Sequence, residues 1–207
     1  TGKREVNAML DLVKQETERI ESRFLVPACG TGNFITEILH RKLSIVETRY
    51  RKSQLDYERS ALLAVSSVYG IDILEDNIVE CRKRLFKIFD HKYTSLFKKK
   101  AREECRNAAQ FILEKNIIWG DALSLKTVGD NPRPIVFSEW SPVNGSMLKR
   151  RDFAFQELIP KDIRRELPLF STPNQPLYSD LGGEVFIPLP EKEYPLTHFM
   201  KVSDDEQ

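Results

Sequence analysis

The hydrophobic positions of the chain form short apolar runs and helical repeats in turn, which predicts strands separated by helices. Apolar residues recur at helical spacing before position 21. An apolar run over residues 24–26 then leads into a glycine-containing turn and a new helical repeat from Phe34 to Leu39. Further apolar runs lie at residues 68–73, 117–119 and 135–137. This order favours an α/β fold with a doubly wound, mostly parallel sheet.

A helical insertion follows the first glycine turn. Residues 43–64 continue the helical pattern with many charged positions, so we expect a helix with one solvated face. The next apolar run ends at Asp72, forty residues after Gly32. A simple dinucleotide fold places this acid about twenty residues after its glycines. The insertion accounts for the difference.

The C-terminal quarter has a different composition. Seven of the eleven prolines fall within residues 160–207. We therefore expect one domain over residues 1–159 and a proline-rich, loop-rich extension over residues 160–207 that completes the sheet edge. Within the extension, residues 185–187 and 198–202 are expected to be strands, and residues 203–207 to be disordered.

Charge and cysteine content narrow the class of protein. The formal net charge is +1, from 32 Lys and Arg against 31 Asp and Glu, so the whole-chain charge does not favour an anionic partner. Cys29, Cys81 and Cys105 are far apart and form no Cys-x-x-Cys pair, which argues against a disulfide framework or a zinc site. No apolar run approaches the length of a membrane span. We expect a cytoplasmic protein without a metal site or membrane association.

The glycine turn after the first strand is a candidate ligand-binding loop. Gly30 and Gly32 carry no Cβ, so the backbone can approach a ligand closely, and the helix that follows directs unpaired N–H groups toward the same place. A tight strand-to-helix turn that binds nothing is the alternative.

The turn resembles the first motif of class I S-adenosylmethionine-dependent methyltransferases, and most closely that of adenine-specific DNA methyltransferases of restriction-modification systems. The residues that carry the resemblance are Pro27, Ala28, Cys29, Gly30, Thr31, Gly32, Asn33 and Phe34. The resemblance implies a Rossmann-like fold, S-adenosyl-L-methionine as cofactor and a loop that wraps its methionine part. The family's Thr-Pro element, which precedes this motif, is absent from residues 1–7.

Two later turns resemble the family's second and third cofactor motifs. Asp72, followed by Ile73, stands where the family has the acid that binds the ribose hydroxyls; a helix cap is the alternative. Asp121, followed by Ala122, stands where an acid accepts a hydrogen bond from the adenine amino group; a turn-forming aspartate is the alternative.

The candidate catalytic segment follows the fourth predicted strand, Ile135 to Phe137. Amino-methylating DNA enzymes have Asn, Asp or Ser here, then Pro-Pro and an aromatic residue. This chain has Ser138, Glu139 and Trp140 without the Pro-Pro pair. In this resemblance Ser138 is the polar anchor, Glu139 an added acceptor and Trp140 the ring that stacks on a flipped base. Alternatively, the altered segment catalyses nothing.

Basic residues provide candidate contacts to nucleic acid. Lys149, Arg150 and Arg151 are three consecutive cations near the candidate catalytic segment and suit phosphate contacts; the flank of a helix over residues 153–159 is the alternative. Residues 82–106 contain ten Lys or Arg, which suggests either a phosphate-binding surface or an ordinary solvated surface.

The combined expectation is an S-adenosylmethionine-dependent methyltransferase that modifies the exocyclic amine of adenine in DNA. Because 207 residues leave no room for a large target-recognition domain, sequence specificity is expected to be loose or to come from a partner subunit or further segment. Two other functions fit the same cofactor motifs: a noncatalytic cofactor-binding subunit of a methyltransferase complex, and a small-molecule methyltransferase.

Overall fold

A computed structural model of the chain describes residues 2–159, 177–178, 184–185 and 188–206. The helices are α1 (Lys3–Asp11), α2 (Lys14–Thr17), α3 (Asn33–Tyr50), α4 (Gln54–Ser66), α5 (Glu75–Phe97) and α6 (Glu103–Asn116). The strands are β1 (Phe24–Val26), β2 (Val68–Asp72), β3 (Ile117–Asp121), β4 (Lys126–Thr127), β5 (Val136–Pro142), β6 (Met147–Ala154), β7 (Leu177–Tyr178), β8 (Glu184–Val185), β9 (Lys192–Glu193) and β10 (Thr197–His198). No helix in these ranges is long and apolar enough to cross a membrane.

The first sheet has the order β1-β2-β3-β4. β1, β2 and β3 are parallel, and β4 is antiparallel at the edge. The predicted α/β class is therefore confirmed. The insertion predicted over residues 43–64 corresponds to the C-terminal part of α3 and most of α4, and these two helices connect β1 to β2. The helices α5 and α6 connect β2 to β3.

The two faces of this sheet have different neighbours because strand side chains alternate. On one face, a Cβ built on Gly70 would lie 2.7 Å from Ile35 Cδ1, so α3 packs directly on the strand. On the other face, Tyr69 and Ile71 pack in a separate apolar cluster with Phe137 of β5. A second sheet therefore covers the face that the helices leave open.

The strand expected to be fourth in the parallel sheet lies in this second sheet. β5 pairs antiparallel with β6 along its whole length, and β6 also pairs with β9 and β10. The cause is a four-residue hairpin turn over residues 143–146, with Gly145 at φ +57°. The helix predicted over residues 153–159 is also wrong, because β6 extends to Ala154 and only a short 3-10 helix, Phe155–Leu158, follows.

The structure describes part of the C-terminal extension. β10 begins near the strand expected at residues 198–202, but it is only two residues long and joins β6 at the edge of the second sheet. Residues 202–206 form a 3-10 helix instead of a disordered end, and Val202 is buried in the helical core. Of the strand expected at residues 185–187, the structure describes only Val185, which ends β8. Residues 160–176, 179–183, 186–187 and 207 of the expected extension lie outside the described residues.

A buried lysine fixes the segment that enters β1. Lys42 of α3 is fully buried, and its Nζ donates to Arg19 O at 3.1 Å, Ile20 O at 3.0 Å and Ser67 Oγ at 2.8 Å, as well as to Ser22 O. Burial lowers the pKa of Lys42 to about 7, although Glu21 and Glu16 oppose this shift. One lysine side chain thereby donates hydrogen bonds to three backbone carbonyls of the segment that connects α2 to β1.

We predict that Lys42→Met lowers the free energy of unfolding at pH 7 by about 2–4 kcal/mol, because three backbone carbonyls and the Ser67 hydroxyl lose their buried donor. The loss should increase between pH 7 and pH 9. Unfolded lysine has a pKa near 10.4, so the unfolded wild-type chain binds more protons than the folded chain across this window and its stability rises with pH. The variant has no titrating group at position 42, so its stability lacks this increase with pH. Urea unfolding at both pH values measures the difference.

Lys52→Met is the matched control, because Lys52 is exposed in the turn after α3. It should change stability by less than about 0.5 kcal/mol at either pH. Equal losses for the two variants, or a loss from Lys42→Met that shrinks as the pH rises, would contradict this account of Lys42.

Candidate functional site

The turns after β1, β2 and β3 lie side by side because these strands are parallel neighbours. The Gly30 turn follows β1, Asp72 ends β2 and Asp121 ends β3. Asp72 lies opposite Trp119, so Asp121 is two residues further along β3. The structure brings the three sequence-predicted cofactor motifs to one edge of the sheet, which we call the carboxyl edge.

The Asp72 carboxylate joins the glycine turn to the start of α5. Its Oδ2 accepts from Gly30 N at 2.7 Å, and its Oδ1 accepts from Leu74 N at 3.0 Å and Asn77 Nδ2 at 2.9 Å. Partial burial raises the pKa of Asp72, but the hydrogen bonds from Asn77, Leu74 and Gly30 together hold this pKa below its ordinary value. Leu74 occupies the N-cap position of α5, so Asp72 is not the capping residue.

The glycine turn uses backbone conformations that favour glycine. Gly30 has φ +55° and Gly32 has φ +89°. A Cβ on Gly32 would lie 2.6 Å from Cys81 Sγ of α5, whereas a Cβ on Gly30 would meet no atom of the described residues within 4 Å. A hydrogen bond to Cys81, together with burial, raises the pKa of the Cys29 thiol, so Cys29 is neutral. The turn is therefore closed against α5 and open at Gly30.

Arg84 of α5 fixes the outer part of the turn. Its Nη1 donates to Thr31 O at 2.6 Å, Thr31 Oγ1 at 3.1 Å and Asn33 Oδ1 at 3.0 Å. Among the eight motif residues, the exposed ones are Pro27, Ala28, Thr31 and Asn33, the half-buried ones are Gly30 and Phe34, and the buried ones are Cys29 and Gly32. Half of the motif thus remains accessible to a ligand.

Apolar side chains flank the two acids of the carboxyl edge. Ile73 is 58% exposed and Leu123 is 87% exposed, while Ala122 packs against the cluster between the sheets. The Asp121 carboxylate accepts from Leu123 N at 2.9 Å and Ser124 N at 3.3 Å, and these hydrogen bonds lower its pKa. Each of β2 and β3 therefore ends in an ionised aspartate carboxylate, and an exposed apolar side chain follows one or two residues later.

The candidate catalytic segment lies at the opposite edge, where β1 and β3 begin. Trp140 Nε1 donates to Asn116 Oδ1 at 3.3 Å, and Asn116 directly precedes β3. Glu139 pairs with Arg23, which directly precedes β1. β5 crosses the sheet face and carries these side chains away from the carboxyl edge, so the structure does not bring Ser138, Glu139 and Trp140 to the cofactor motifs.

Two of these three side chains are also enclosed. Ser138 and Trp140 are only 2% and 3% exposed. Ser138 Oγ donates to Asp152 Oδ1 at 2.7 Å, and the Trp140 ring packs edge-on against Phe111 with centroids 6.0 Å apart. In this arrangement Trp140 presents no open face on which a base could stack, and the Ser138 hydroxyl is already engaged.

The candidate phosphate-binding cations have acceptors within the chain. Lys149 pairs with Glu193 at 3.0 Å, Arg150 is buried and pairs with Asp152 at 2.9 Å, and Arg151 pairs with Glu139 at 2.8 Å. All three lie in strand β6. In the basic stretch of residues 82–106, carboxylates of the chain pair with Lys83, Lys92, Arg102 and Arg106, and backbone carbonyls accept from Arg82 and Arg84. Much of the local basic charge is therefore neutralised internally.

Sequence reasoning did not identify the residues of α5 that support the glycine turn. Asn77, Cys81 and Arg84 are spaced four and three residues apart, which places them on one face of a helix. This face contacts Asp72, the Gly32 position and Thr31. The spacing was visible in the sequence, but Arg84 was grouped with the surrounding basic residues.

Comparison of the chain with protein-family models, curated proteins and solved structures finds no match. The motifs and the geometry of the carboxyl edge are therefore the features that bear on function. Within the described ranges, no group of three or more His, Cys, Asp and Glu side chains is placed to hold a metal ion.

We predict that Gly32→Ala destabilises the chain by at least about 2 kcal/mol more than Gly145→Ala. Both positions have positive φ, but a Cβ at Gly145 meets nothing within 4 Å, whereas a Cβ at Gly32 meets Cys81 Sγ. The comparison separates steric overlap from backbone strain. Urea unfolding of both variants measures it.

Adding Cys81→Ala to Gly32→Ala removes the sulfur and should recover part of the lost stability. If the two glycine variants are equally stable, or if Cys81→Ala gives no recovery, then the packing of the turn against α5 is not what requires glycine at position 32.

Proposed function

We propose that the chain binds S-adenosylmethionine at the carboxyl edge and functions as an S-adenosylmethionine-dependent methyltransferase that modifies the adenine amine in DNA. The hydrogen bond from Gly30 N to the Asp72 carboxylate carries the proposal. This hydrogen bond joins two motifs that are 42 residues apart in the sequence. It lies at the carboxyl ends of the parallel strands, where α/β sheets commonly bind nucleotides.

The Asp72 carboxylate has the capacity to bind a ribose. An ionised carboxylate has about four acceptor positions, and Gly30, Leu74 and Asn77 use three of them. One acceptor position is left for a ribose hydroxyl. The methionine part of the cofactor would lie at the open side of Gly30, where backbone can approach a ligand without a side chain between them.

The adenine part suits the neighbouring residues. Ile73 offers an exposed apolar side chain for one face of a purine ring. Asp121 has two amide donors to its carboxylate and retains acceptor capacity for the exocyclic amine of the cofactor. The charge pattern agrees with a nucleoside, because carboxylates at the turns favour hydroxyl and amine donors.

When bound, the cofactor supplies a methyl group on a positively charged sulfur. The residues of the carboxyl edge would hold and orient it, and an acceptor amine must approach from the same edge for in-line transfer. We assign no catalytic role to Ser138, Glu139 or Trp140, because their contacts are with Asp152, Arg23 and Asn116 at the other edge.

A second candidate function is a noncatalytic S-adenosylmethionine-binding subunit that works with an active methyltransferase. The separation of the candidate catalytic segment from the carboxyl edge favours this function specifically. DNA would then be the partner of the complex, and the partner subunit would supply both the base pocket and the sequence specificity.

We predict that S-adenosylhomocysteine binds the wild-type chain in a one-to-one ratio and that Ile73→Ser weakens binding about tenfold, because an apolar contact to the purine is lost. Val79→Ser is the matched control, since Val79 is also 58% exposed but lies on α5. Isothermal titration calorimetry measures both variants. No binding by the wild-type chain, or equal effects of the two substitutions, would defeat the proposal.

The two candidate functions differ in methyl transfer. For the enzyme, the wild-type chain transfers tritiated methyl groups from S-adenosylmethionine to duplex DNA, and Trp140→Phe transfers them at a similar rate because Trp140 is remote from the carboxyl edge. For the subunit, the chain binds the cofactor and transfers nothing. Selective loss of transfer in a stably folded Trp140→Phe variant would contradict the position assigned to Trp140.

A further inference from the structure

A cavity lies between the two sheets, at the edge opposite the cofactor motifs. Its volume is about 450 Å³, which is within the range of small-molecule sites. Residues of β1, β2, β5 and β6 line it, and none of the proposed cofactor residues does. A ligand here would therefore be additional to the proposed cofactor.

The wall of the cavity is mainly apolar and includes four aromatic rings. Phe24, Tyr69, Phe137 and Phe153 line it, and the rings of Tyr69 and Phe137 meet edge-to-face with centroids 5.3 Å apart. The Tyr69 hydroxyl donates to Ser138 O at 3.1 Å, and the Ser138 hydroxyl is bound to Asp152. The aromatic wall thus favours a flat apolar body.

The charged part of the cavity has an excess of positive charge. Glu139 lies between Arg23 and Arg151, with Arg151 Nη2 2.8 Å from Glu139 Oε2 and Arg23 on the other carboxylate oxygen. Two guanidinium groups therefore share one carboxylate, which leaves a net charge of about +1 among these three side chains. Both Glu139 oxygens already have a cationic donor.

The two guanidinium groups remain partly accessible. The side chains of Arg23 and Arg151 are 55% and 36% exposed, although each pairs with Glu139. An anionic oxygen is the partner that a guanidinium binds most strongly. A ligand carboxylate beside Arg23 and Arg151 would balance the excess charge.

We infer that the cavity binds a small organic monoanion with an aromatic body and a carboxylate group. The aromatic rings would contact the body, and Arg151 and Arg23 would contact the carboxylate. A neutral purine fits less well, because the Glu139 oxygens that would accept its amine are already engaged by the two arginines.

Isothermal titration calorimetry with naphthalene-2-carboxylate and naphthalene-2-carboxamide tests the inference on the full chain. The two probes have the same ring system and differ in charge. We expect saturable one-to-one binding of the carboxylate, at least about tenfold tighter than that of the amide. Binding should be unaffected by saturating S-adenosylhomocysteine and by Ile73→Ser, so the outcome is independent of the proposed function.

Two variants locate the site. Arg151→Gln should weaken binding of the carboxylate probe about tenfold. Lys149→Gln removes one positive charge from the same strand and should not weaken binding, because Lys149 is not among the residues that line the cavity.

Leu158→Trp places a large ring at the cavity wall and should abolish binding, whereas Leu12→Trp on the exposed side of the N-terminal region should have no effect. Circular dichroism establishes that each variant is folded.

Absence of saturable carboxylate binding would overturn the inference, as would equal affinity for the two probes. The same conclusion follows if Arg151→Gln and Lys149→Gln have equal effects, or if a folded Leu158→Trp variant binds as well as the wild-type chain.

Discussion

The carboxylate of Asp72 is the contact on which the carboxyl edge depends. It accepts hydrogen bonds from the glycine turn after β1, from Leu74 N at the N-cap of α5 and from the Asn77 side chain in the first turn of α5. Without it, three backbone and side-chain donors at the ends of two strands would lose their common acceptor. The turn is further confined by Cys81 and Arg84 of α5, so one strand end and one helix together set its shape.

The alternation of side chains in β1, β2 and β3 divides the molecule into two regions with different chemistry. Gly70 faces α3, and this face builds the helical core that presents the turns at the carboxyl edge. Tyr69 and Ile71 face the second sheet, whose β5 strand carries its polar residues to the opposite edge. Phe24 and Leu25 of β1 line the aromatic cavity, whereas the proposed cofactor site begins at Pro27 after this strand, so the two sites share no residue.

The sequence predicted well those elements that are determined by short stretches of neighbouring residues. An apolar run, two glycines and an apolar helix start suffice to place β1, its turn and α3, and the acids that end β2 and β3 follow directly from their strands. The partner of β5 is not a local property, because an apolar run such as Ile135 to Phe137 suits a parallel or an antiparallel strand equally. Arg150 was misleading for a similar reason: its charge suggests a surface, but Asp152, two residues away on the same face, allows it to be buried.

The most direct test of the central claim is a crystal structure of the chain with S-adenosylhomocysteine. The account predicts that the nucleoside lies against the Gly30 turn, with its ribose beside Asp72 and its adenine beside Ile73 and Asp121, while Trp140 remains packed against Phe111. Density for the nucleoside in the cavity between the sheets, or a glycine turn left empty in the presence of saturating ligand, would contradict it.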